Sequence, residues 1–360
     1  MSYQNLFLVL SFIVAFIIAF AATPLAKSIA YKVGAIDVPK DARRVHKQPI
    51  PRLGGLAIFY GFIISVIAFV KIDESVRGIL LGALVIVLLG IIDDVKQLRA
   101  SIKLVVQIAA ALIVVFHGVR IEGITNPNIF SSTETIQLGI WSIPVTVMWI
   151  IGVTNAVNLI DGLDGLAAGI SSIASICLLF ISLLTGDLTY IAMMTAALAG
   201  ACLGFLPYNF NPAKIFMGDT GATFLGFILA TVSIQGLLKF YAVISFAVPL
   251  LILGLPIFDT GYAILRRLIN GKSIMEADRG HLHHRLIDMG FSQRQTVIIL
   301  YTISGILGLS AVVLTGSGAF SAMVLILSVL VFVIAGARYK FEPVPQTVET
   351  NTEETESPEN

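Results

Sequence analysis

Five aspartates in three short motifs are the residues of this sequence best suited to chemistry. The motifs are Asp93-Asp94, Asp161-Gly-Leu-Asp164-Gly165 and Gly218-Asp219-Thr-Gly221. Adjacent carboxylates repel each other unless a cation compensates for their charge, and glycines let the backbone approach a ligand closely. Because carboxylate oxygens are ligands that Mg²⁺ prefers, the motifs indicate a metal and a phosphorylated substrate.

The middle motif is preceded by two amides at the same three-residue spacing. The four polar positions are Asn155, Asn158, Asp161 and Asp164. On a helix this spacing gives a slowly turning stripe, so neighbouring members can share one ligand. Polar residues between two long apolar runs are costly in a membrane and therefore indicate a functional site.

A second set of side chains is basic or imidazole. It comprises Lys47 and Arg52 in a Pro/Gly-containing loop, and the segment Arg279-Gly-His281-Leu-His283-His284-Arg285. The two cysteines lie in apolar runs, so the histidines have no thiolate with which to build a zinc site. Histidines beside arginines suit phosphate or sugar contacts.

Each motif alone also has a simpler explanation. Asp93-Asp94 would simply mark where a helix leaves the membrane, and Asp219 would be a plain helix N-cap. The histidine segment would be a solvated basic loop at an anionic membrane face. The functional interpretation depends on all of the motifs meeting at one place.

The elements that position these motifs are predicted to be transmembrane helices. The chain is 57% hydrophobic and 12% charged, with a mean hydropathy of +0.92, which predicts an all-α polytopic membrane protein. The first apolar run is preceded by no basic residue, so we expect a retained helix, not a cleaved signal. About eleven spans are expected, at roughly 5–24, 54–70, 76–92, 102–119, 141–157, 166–186, 189–206, 220–236, 242–265, 296–315 and 319–337.

The basic residues predict the orientation. With the N-terminus outside and the C-terminus cytoplasmic, 19 of the 23 lysines and arginines fall on the cytoplasmic side. All of the motifs then face the cytoplasm. We expect one transmembrane catalytic domain over 1–340, with an active site facing the cytoplasm at the plasma membrane. The tail over 341–360 is rich in Glu and Pro and is predicted to be disordered.

Carboxylates, amides and basic groups at one membrane face suggest an enzyme that joins a lipid to a cytosolic substrate. A secondary transporter is the alternative from another class, but transporters bind near the bilayer midplane. Neither a nucleotide-binding fingerprint nor a serine-nucleophile elbow is present. Nothing indicates a nucleic-acid partner.

These motifs, in this order, resemble the polyprenyl-phosphate N-acetylhexosamine-1-phosphate transferases. The resemblance runs from the Pro51–Gly55 loop to Phe291. Within that family the chain is most similar to bacterial undecaprenyl-phosphate N-acetylglucosamine-1-phosphate transferases, which start teichoic acid or O-antigen (lipopolysaccharide) synthesis. The peptidoglycan branch, phospho-N-acetylmuramoyl-pentapeptide transferase, typically has three successive histidines where this chain has His283-His284-Arg285.

The resemblance implies a Mg²⁺-dependent phosphotransferase, with Mn²⁺ as a substitute. The substrates would be a UDP-N-acetylhexosamine and undecaprenyl phosphate, and a homodimer is left open. Asp219, Asp93 and Asp94 would be catalytic and would hold the metal. The substrate-binding residues would be Lys47, Asn155, Asn158, Asp161, Asp164, His281, His283, His284 and Arg285. The ninth span contains Gly254-Leu-Pro256 followed by Asp259, which predicts a kink. The resemblance implies that this kinked span forms the lipid groove.

Overall fold

A computed structural model describes residues 3–39, 48–125, 135–185, 189–236, 247–271 and 280–315 of the protein. Almost all of these residues are helical. The helices are α1 Tyr3–Val33, α2 Gly55–Phe69, α3 Glu74–Lys96, α4 Ala100–Phe116, α5 Ser142–Ile160, α6 Leu166–Thr185, α7 Thr189–Asn209, α8 Gly218–Gly236, α9 Ala247–Ile252, α10 Gly254–Ile269, α11 Leu282–Asp288 and α12 Gln293–Thr315. Two short antiparallel hairpins pair β1 (Ile36–Asp37) with β2 (Ile50–Pro51), and β3 (Gly123–Thr125) with β4 (Thr135–Gln137).

Six of these helices are long and apolar enough to cross a membrane, which confirms a helical, multi-pass membrane protein. They are α1, α3, α5, α6, α7 and α12. Two further apolar helices, α2 and α4, have 15 and 17 residues. The count of eleven spans is therefore not confirmed. The predicted span 319–337 and the tail 341–360 lie outside the described residues, and the orientation stays a prediction.

Helix α8 is the centre of the bundle. Every residue from Thr220 to Gly236 is buried, and α2, α3, α5, α6 and α7 pack around it. A helix that is buried on all sides needs no polar stripe. Threonine and serine hydroxyls on α8 instead donate to carbonyls one turn earlier, as Thr223 does to the Asp219 carbonyl oxygen at 2.6 Å.

Very close backbone contacts fix the N-terminus of α8. A Cβ atom on Gly55, at the start of α2, would overlap Gly221, and one on Gly90 of α3 would overlap Thr220. Only glycine permits such approaches. The segment that precedes α8 is tied to the β2 region as well, since Phe216 N donates to the Pro51 carbonyl oxygen at 2.8 Å. The first turn of α8 is thus held at one position by α2, α3 and β2.

The predicted break in the ninth span is confirmed. Helix α9 ends at Ile252 and α10 begins at Gly254, two residues before Pro256. Residues 242–246 of the predicted span lie outside the described part of the chain. Helix α10 packs on α5 and α12, and its polar side chains reach the short helix α11.

Candidate active site

A polar cavity of about 420 Å³ lies where the ends of several helices meet. All three aspartate motifs contribute to it, as do the loop of Arg52 and the histidine segment. Its lining includes Asp37, Arg52, Asp94, Lys103, Asn158, Asp161, Gly162, Leu163, Asp164, Asn209, Phe216, Gly218, Asp219, His284 and Gln293. The lining combines carboxylates, amides and cations, so the cavity has the chemical groups needed to bind a phosphorylated polar molecule.

Lys103 joins two of the acidic motifs. Its ammonium donates to Asp93 Oδ2 at 2.7 Å and to Asp219 Oδ2 at 2.8 Å. Asp93 Oδ1 also accepts the Leu98 backbone N–H at 2.6 Å. Lys103 lies in the first turn of α4, so a single side chain ties α3, α4 and α8 together at the cavity.

The Asp94 side chain binds the first residues of α8. Its carboxylate accepts the backbone N–H groups of Asp219 and Thr220, each at 3.0 Å, and the Thr220 hydroxyl at 2.6 Å. The Asp94 side chain is only 1% exposed. Helix N-termini leave such N–H groups without helical partners, and a carboxylate there is favoured by the helix dipole. Asp94 therefore positions Asp219. The metal-binding role that the resemblance implies for Asp94 stays a prediction.

Arg52 supports the same junction from outside. Its guanidinium donates to the Asp94 carbonyl oxygen at 2.9 and 3.2 Å, and its Nε lies 3.8 Å from Asp94 Oδ1. Because Arg52 also lines the cavity, it places a positive charge beside the acidic groups. A guanidinium in such a position suits a phosphate.

Some polar residues of the middle motif and its preceding amides line the cavity, whereas others hold helices together. Asn158, Asp161 and Asp164 line the cavity, and Asp164 Oδ2 also accepts the Ala213 N–H at 2.9 Å and the Asn211 amide at 3.0 Å. Asn155 is not among the lining residues. It pairs with Gln107, since Asn155 Nδ2 donates to Gln107 Oε1 at 2.7 Å, and this pair joins α4 to α5.

Asp161 follows the last residue of α5, in the turn that crosses the cavity floor. Burial, together with the charges of Asp219, Asp94 and Asp164, raises the pKa of Asp161 from about 3.8 to about 8. The raised pKa favours the protonated form of Asp161 in the substrate-free protein. A bound cation would favour its ionised form.

We expect Asp161→Asn to stabilise the substrate-free protein at high pH. The folded-state pKa of Asp161 is raised, so its contribution is fully present below pH 3.8 and is lost progressively as the pH rises towards 8. Asparagine does not ionise, so this loss of stability with rising pH disappears. The melting temperature at pH 8 should therefore rise by on the order of 5 °C. Thermal melts from pH 4.5 to 8.5 measure it, with the exposed Asp288→Asn as control. An equal difference at every pH would contradict the prediction.

The histidines occupy α11, which a carboxylate on α10 holds in place. Asp259 Oδ2 lies 2.8 Å from His281 Nδ1, and Asp259 Oδ1 accepts the Leu282 N–H at 2.8 Å. His281 is the N-cap residue of α11 but makes no side-chain cap of its own. Asp259 supplies the cap instead and thereby fixes where α11 begins.

His283 and His284 then meet the middle motif. The His283 ring is 2% exposed, and a Cβ atom on Gly162 would overlap its Nε2. Burial lowers the pKa of His283 to about 3, so His283 is neutral in the physiological range. His284 reaches the cavity. The tight packing of His283 on Gly162 sets the distance between α11 and the cavity floor.

Gly162→Ala should therefore displace α11 and lower activity. The added methyl group has no room beside His283, and the movement would carry His284 out of the cavity. We expect kcat/KM to fall by about tenfold to a hundredfold. A matched control is Gly152→Ala on α5, since nothing lies within 4 Å of a Cβ atom built on Gly152. Equal activity of the two variants would show that the position of α11 is unimportant.

An apolar cavity of about 420 Å³ adjoins the other side of α11. It lies between α9, α10 and α12 and is lined by Leu251, Leu255, Phe258, Asp259, Tyr262, Gly280, Leu282, Arg285, Ile303 and Leu307. The Arg285 guanidinium lies over the Tyr262 ring at 5.2 Å. The lining thus includes one guanidinium, which suits a lipid with an anionic headgroup, beside the Asp259 carboxylate that contacts His281.

The acidic residues fit a divalent cation that is shared with a substrate. No group of three His, Cys, Asp or Glu side chains within the described ranges is arranged to hold a metal by itself. Asp93 and Asp219, however, direct one oxygen each at the same ammonium. Mg²⁺ is commonly bound by one or two carboxylates with substrate phosphates completing its coordination. Asp219 and Asp93 would be the protein ligands in such a site.

Some contributors to the site are not predicted from the sequence. In the sequence, Lys103 is one of many basic residues near a predicted helix end, and its role in the site is not predicted. One signal could have marked it, because a cation in the first turn of an otherwise apolar helix is unusual. Asp259 is visible in the sequence only as an acidic residue beside the predicted kink of the ninth span. Its contact with His281, which lies 22 residues later, is not predicted. Lys47, a predicted substrate-binding residue, lies outside the described residues.

Comparison with known proteins shows the family of the chain. The glycosyl transferase family 4 model matches residues 76–237, which include all three aspartate motifs. A relative in Bacillus subtilis (strain 168) is 41% identical over 326 residues and 90% of each chain. It is named probable undecaprenyl-phosphate N-acetylglucosaminyl 1-phosphate transferase.

Two further relatives differ in the substrates that their names give. The decaprenyl-phosphate N-acetylglucosaminephosphotransferase of Mycobacterium tuberculosis (strain H37Rv) is 37% identical, over 82% of this chain and 79% of the relative. The phospho-N-acetylmuramoyl-pentapeptide-transferase of Staphylococcus aureus (strain JH9) is 32% identical, over 73% of this chain and 85% of the relative. All three relatives are named as transferases, and two of the names specify N-acetylglucosamine and a polyprenyl phosphate.

Proposed function

Since this chain belongs to glycosyl transferase family 4 and is a polyprenyl-phosphate sugar-1-phosphate transferase, we propose that it transfers N-acetylglucosamine-1-phosphate. The donor is UDP-N-acetylglucosamine, the acceptor is undecaprenyl phosphate, and UMP is released. The observation that carries the proposal is a polar cavity that combines Asp219, Asp161 and Lys103 and is separated by α11 from an apolar one.

The two cavities suit the two substrates. The polar cavity offers Asn158, Asp161 and Asp164 for the nucleotide sugar. The apolar cavity beside α10 accommodates the first isoprene units of the lipid, as expected for a groove at the bent span. His284 lines the polar cavity and Arg285 the apolar one. We therefore expect the acceptor phosphate to bind at α11, between the two cavities.

Charge, not proton transfer, is the main obstacle to the reaction. A phosphate monoester has a second pKa of about 6, so the acceptor is largely ionised at neutral pH and needs no strong general base. The departing UMP needs no proton for the same reason. Arg52 and Lys103 offset the repulsion between the two phosphate groups, and Mg²⁺ held by Asp219 and Asp93 would neutralise charge that develops on the diphosphate.

We favour a single in-line displacement over an aspartyl-phosphate intermediate. One oxygen of Asp93 accepts the Leu98 N–H and the other would be taken up by the metal, while those of Asp94 bind the start of α8, so neither carboxylate is poised to attack. Labelled UMP should not exchange into UDP-N-acetylglucosamine when lipid acceptor is absent. Exchange under those conditions would contradict the single-step mechanism.

The biological setting that we infer is the start of a cell-envelope polysaccharide of the teichoic acid or O-antigen type, at the cytoplasmic membrane face. The relative in Staphylococcus aureus keeps one alternative open, transfer of phospho-N-acetylmuramoyl-pentapeptide. The decisive assay uses purified protein with Mg²⁺, undecaprenyl phosphate and a panel of UDP-sugars. UMP release with UDP-N-acetylglucosamine alone supports the proposal. Release only with the muramoyl-pentapeptide donor supports the alternative.

A transporter is the remaining candidate from another class. Polar side chains in this structure gather at the ends of α3, α5 and α8, whereas transporters place them near the bilayer midplane. Uptake of radiolabelled UDP-sugar into vesicles that contain the protein, without formation of a lipid product, would favour transport.

A further inference from the structure

Lys103 occupies the place between the two carboxylates that a metal would use. Its ammonium contacts Asp93 Oδ2 and Asp219 Oδ2 at 2.7 and 2.8 Å. Ion pairs of this length are charge-assisted hydrogen bonds, which are among the stronger polar contacts in proteins. Asp93 is nearly buried, with 8% of its side chain exposed, so water screens this pair weakly.

The ammonium and a divalent cation exclude each other. Mg²⁺ binds oxygens at about 2.0–2.1 Å in near-octahedral geometry, so it requires the same two oxygens at shorter distance. A metal bound between Asp93 and Asp219 would also stand against the positive charge of Lys103. At a separation of about 4 Å that repulsion is large in a partly buried site. Lys103 must therefore leave before the metal is held by both carboxylates.

The Lys103 side chain can move from the carboxylates towards the polar cavity. Lys103 is 27% exposed and lines the polar cavity together with Arg52 and His284. Its four-carbon stem is flexible, and its ammonium forms favourable contacts with phosphates as a point charge. A diphosphate in the cavity would thus offer Lys103 a new anionic partner and offer the metal its remaining oxygen ligands.

We propose that Lys103 is a built-in competitor that keeps the Asp93–Asp219 pair closed to free divalent cations until a nucleoside diphosphate enters. The metal then binds together with the diphosphate, while Lys103 moves from the carboxylates to the phosphates. This inference rests on the proposed function for the identity of the diphosphate. It adds an order of binding, in which free Mg²⁺ binds the substrate-free protein weakly and the nucleotide strengthens metal binding.

The test is a Mn²⁺ titration of the purified full-length protein without substrates, with free Mn²⁺ measured by electron paramagnetic resonance. Lys103→Met removes the competitor and should bind Mn²⁺ at least about tenfold more tightly than the wild type, which corresponds to about 1.4 kcal/mol. Lys96→Met is the matched control. Lys96 is exposed in the last turn of α3, and its loss removes the same charge without opening the carboxylate pair.

A nucleotide supplies the second arm. UDP, used as the probe because it carries the diphosphate, should increase the Mn²⁺ affinity of the wild type by a larger factor than that of Lys103→Met, because only the wild type has a competitor to remove. Equal or weaker Mn²⁺ binding by Lys103→Met, or tightening by Lys96→Met to the same degree, would overturn the inference. If Lys103→Met does not fold, Lys103→Gln is measured in its place, against the same expectation.

The two proposals fail separately. The substrate-free titration uses neither sugar nor lipid, so it reports on Lys103 whichever donor the enzyme accepts. Tighter Mn²⁺ binding by Lys103→Met without any transfer of N-acetylglucosamine-1-phosphate by the wild type would refute the proposed function alone. Transfer by the wild type, together with equal Mn²⁺ affinities of the wild type and Lys103→Met, would refute the role of Lys103 as a competitor and leave the proposed function in place.

Discussion

Asp219→Asn should lower the rate of UMP release by a factor of about 10³ or more at saturating Mg²⁺. The substitution keeps the size of the side chain but removes the charge that Lys103 contacts at 2.8 Å. Asp219 is also the carboxylate that the first turn of α8 places at the cavity. Without it, the metal loses its principal protein ligand, and the diphosphate in turn loses the cation that would neutralise its charge.

The control for this variant is Asp288→Asn, which neutralises an exposed carboxylate at the end of α11. Its activity should match that of the wild type. Thermal melts in detergent separate loss of chemistry from loss of folding, and we expect Asp219→Asn to melt within a few degrees of the wild type. Retained turnover by Asp219→Asn would remove Asp219 from the metal site.

Asp94→Ala should instead lower stability. The carboxylate accepts three hydrogen bonds from Asp219 and Thr220, and its removal leaves two buried N–H groups without partners. The expected cost is about 3–5 kcal/mol, which corresponds to a fall in melting temperature on the order of 10 °C. Activity should fall as well, because Asp219 loses its position.

Two further variants calibrate this result. Thr220→Val removes only the hydroxyl donor and should cost less. Asp73→Ala removes an exposed helix cap at the other end of α3, where Asp73 accepts a single N–H at 2.8 Å, and should cost about 1 kcal/mol. If Asp94→Ala is as stable as the wild type and yet inactive, Asp94 acts on the metal or the substrate directly.

The sequence predicts which motifs carry chemistry better than it predicts what each side chain does. Asn158, Asp161, Asp164, Asp219 and His284 line one cavity, as expected if all polar motifs meet at one face. Spacing within a motif is visible in the sequence, because it depends only on local helix geometry. The membrane class is equally visible in composition.

Roles that depend on distant partners cannot be read in this way. Asp94 binds backbone N–H groups 125 and 126 residues later, and every residue has a backbone N–H unless it is proline. The sequence therefore contains no pattern that marks them as partners. Asn155 fits the polar stripe by spacing, but Gln107 on α4 takes its amide. Packing between helices, not periodicity, decides which member of a stripe reaches the cavity.

The number of spans is hard to predict for a similar reason. Hydropathy measures how apolar a segment is, whereas spanning also depends on the length of the helix that forms. Segments 54–70 and 102–119 are mostly apolar, and α2 and α4 have 15 and 17 residues. The close approach of α2 to α8 through Gly55 fixes where α2 begins.

Among the described residues, the helices that pack extensively around α8 all precede it in the chain. During synthesis, these helices have therefore already been made when α8 emerges from the ribosome. Its buried threonines, serine and glutamine are poorly suited to lipid and well suited to a prepared slot. Asp219 is thus synthesised after Asp94 and Lys103, two residues that it contacts in the folded protein.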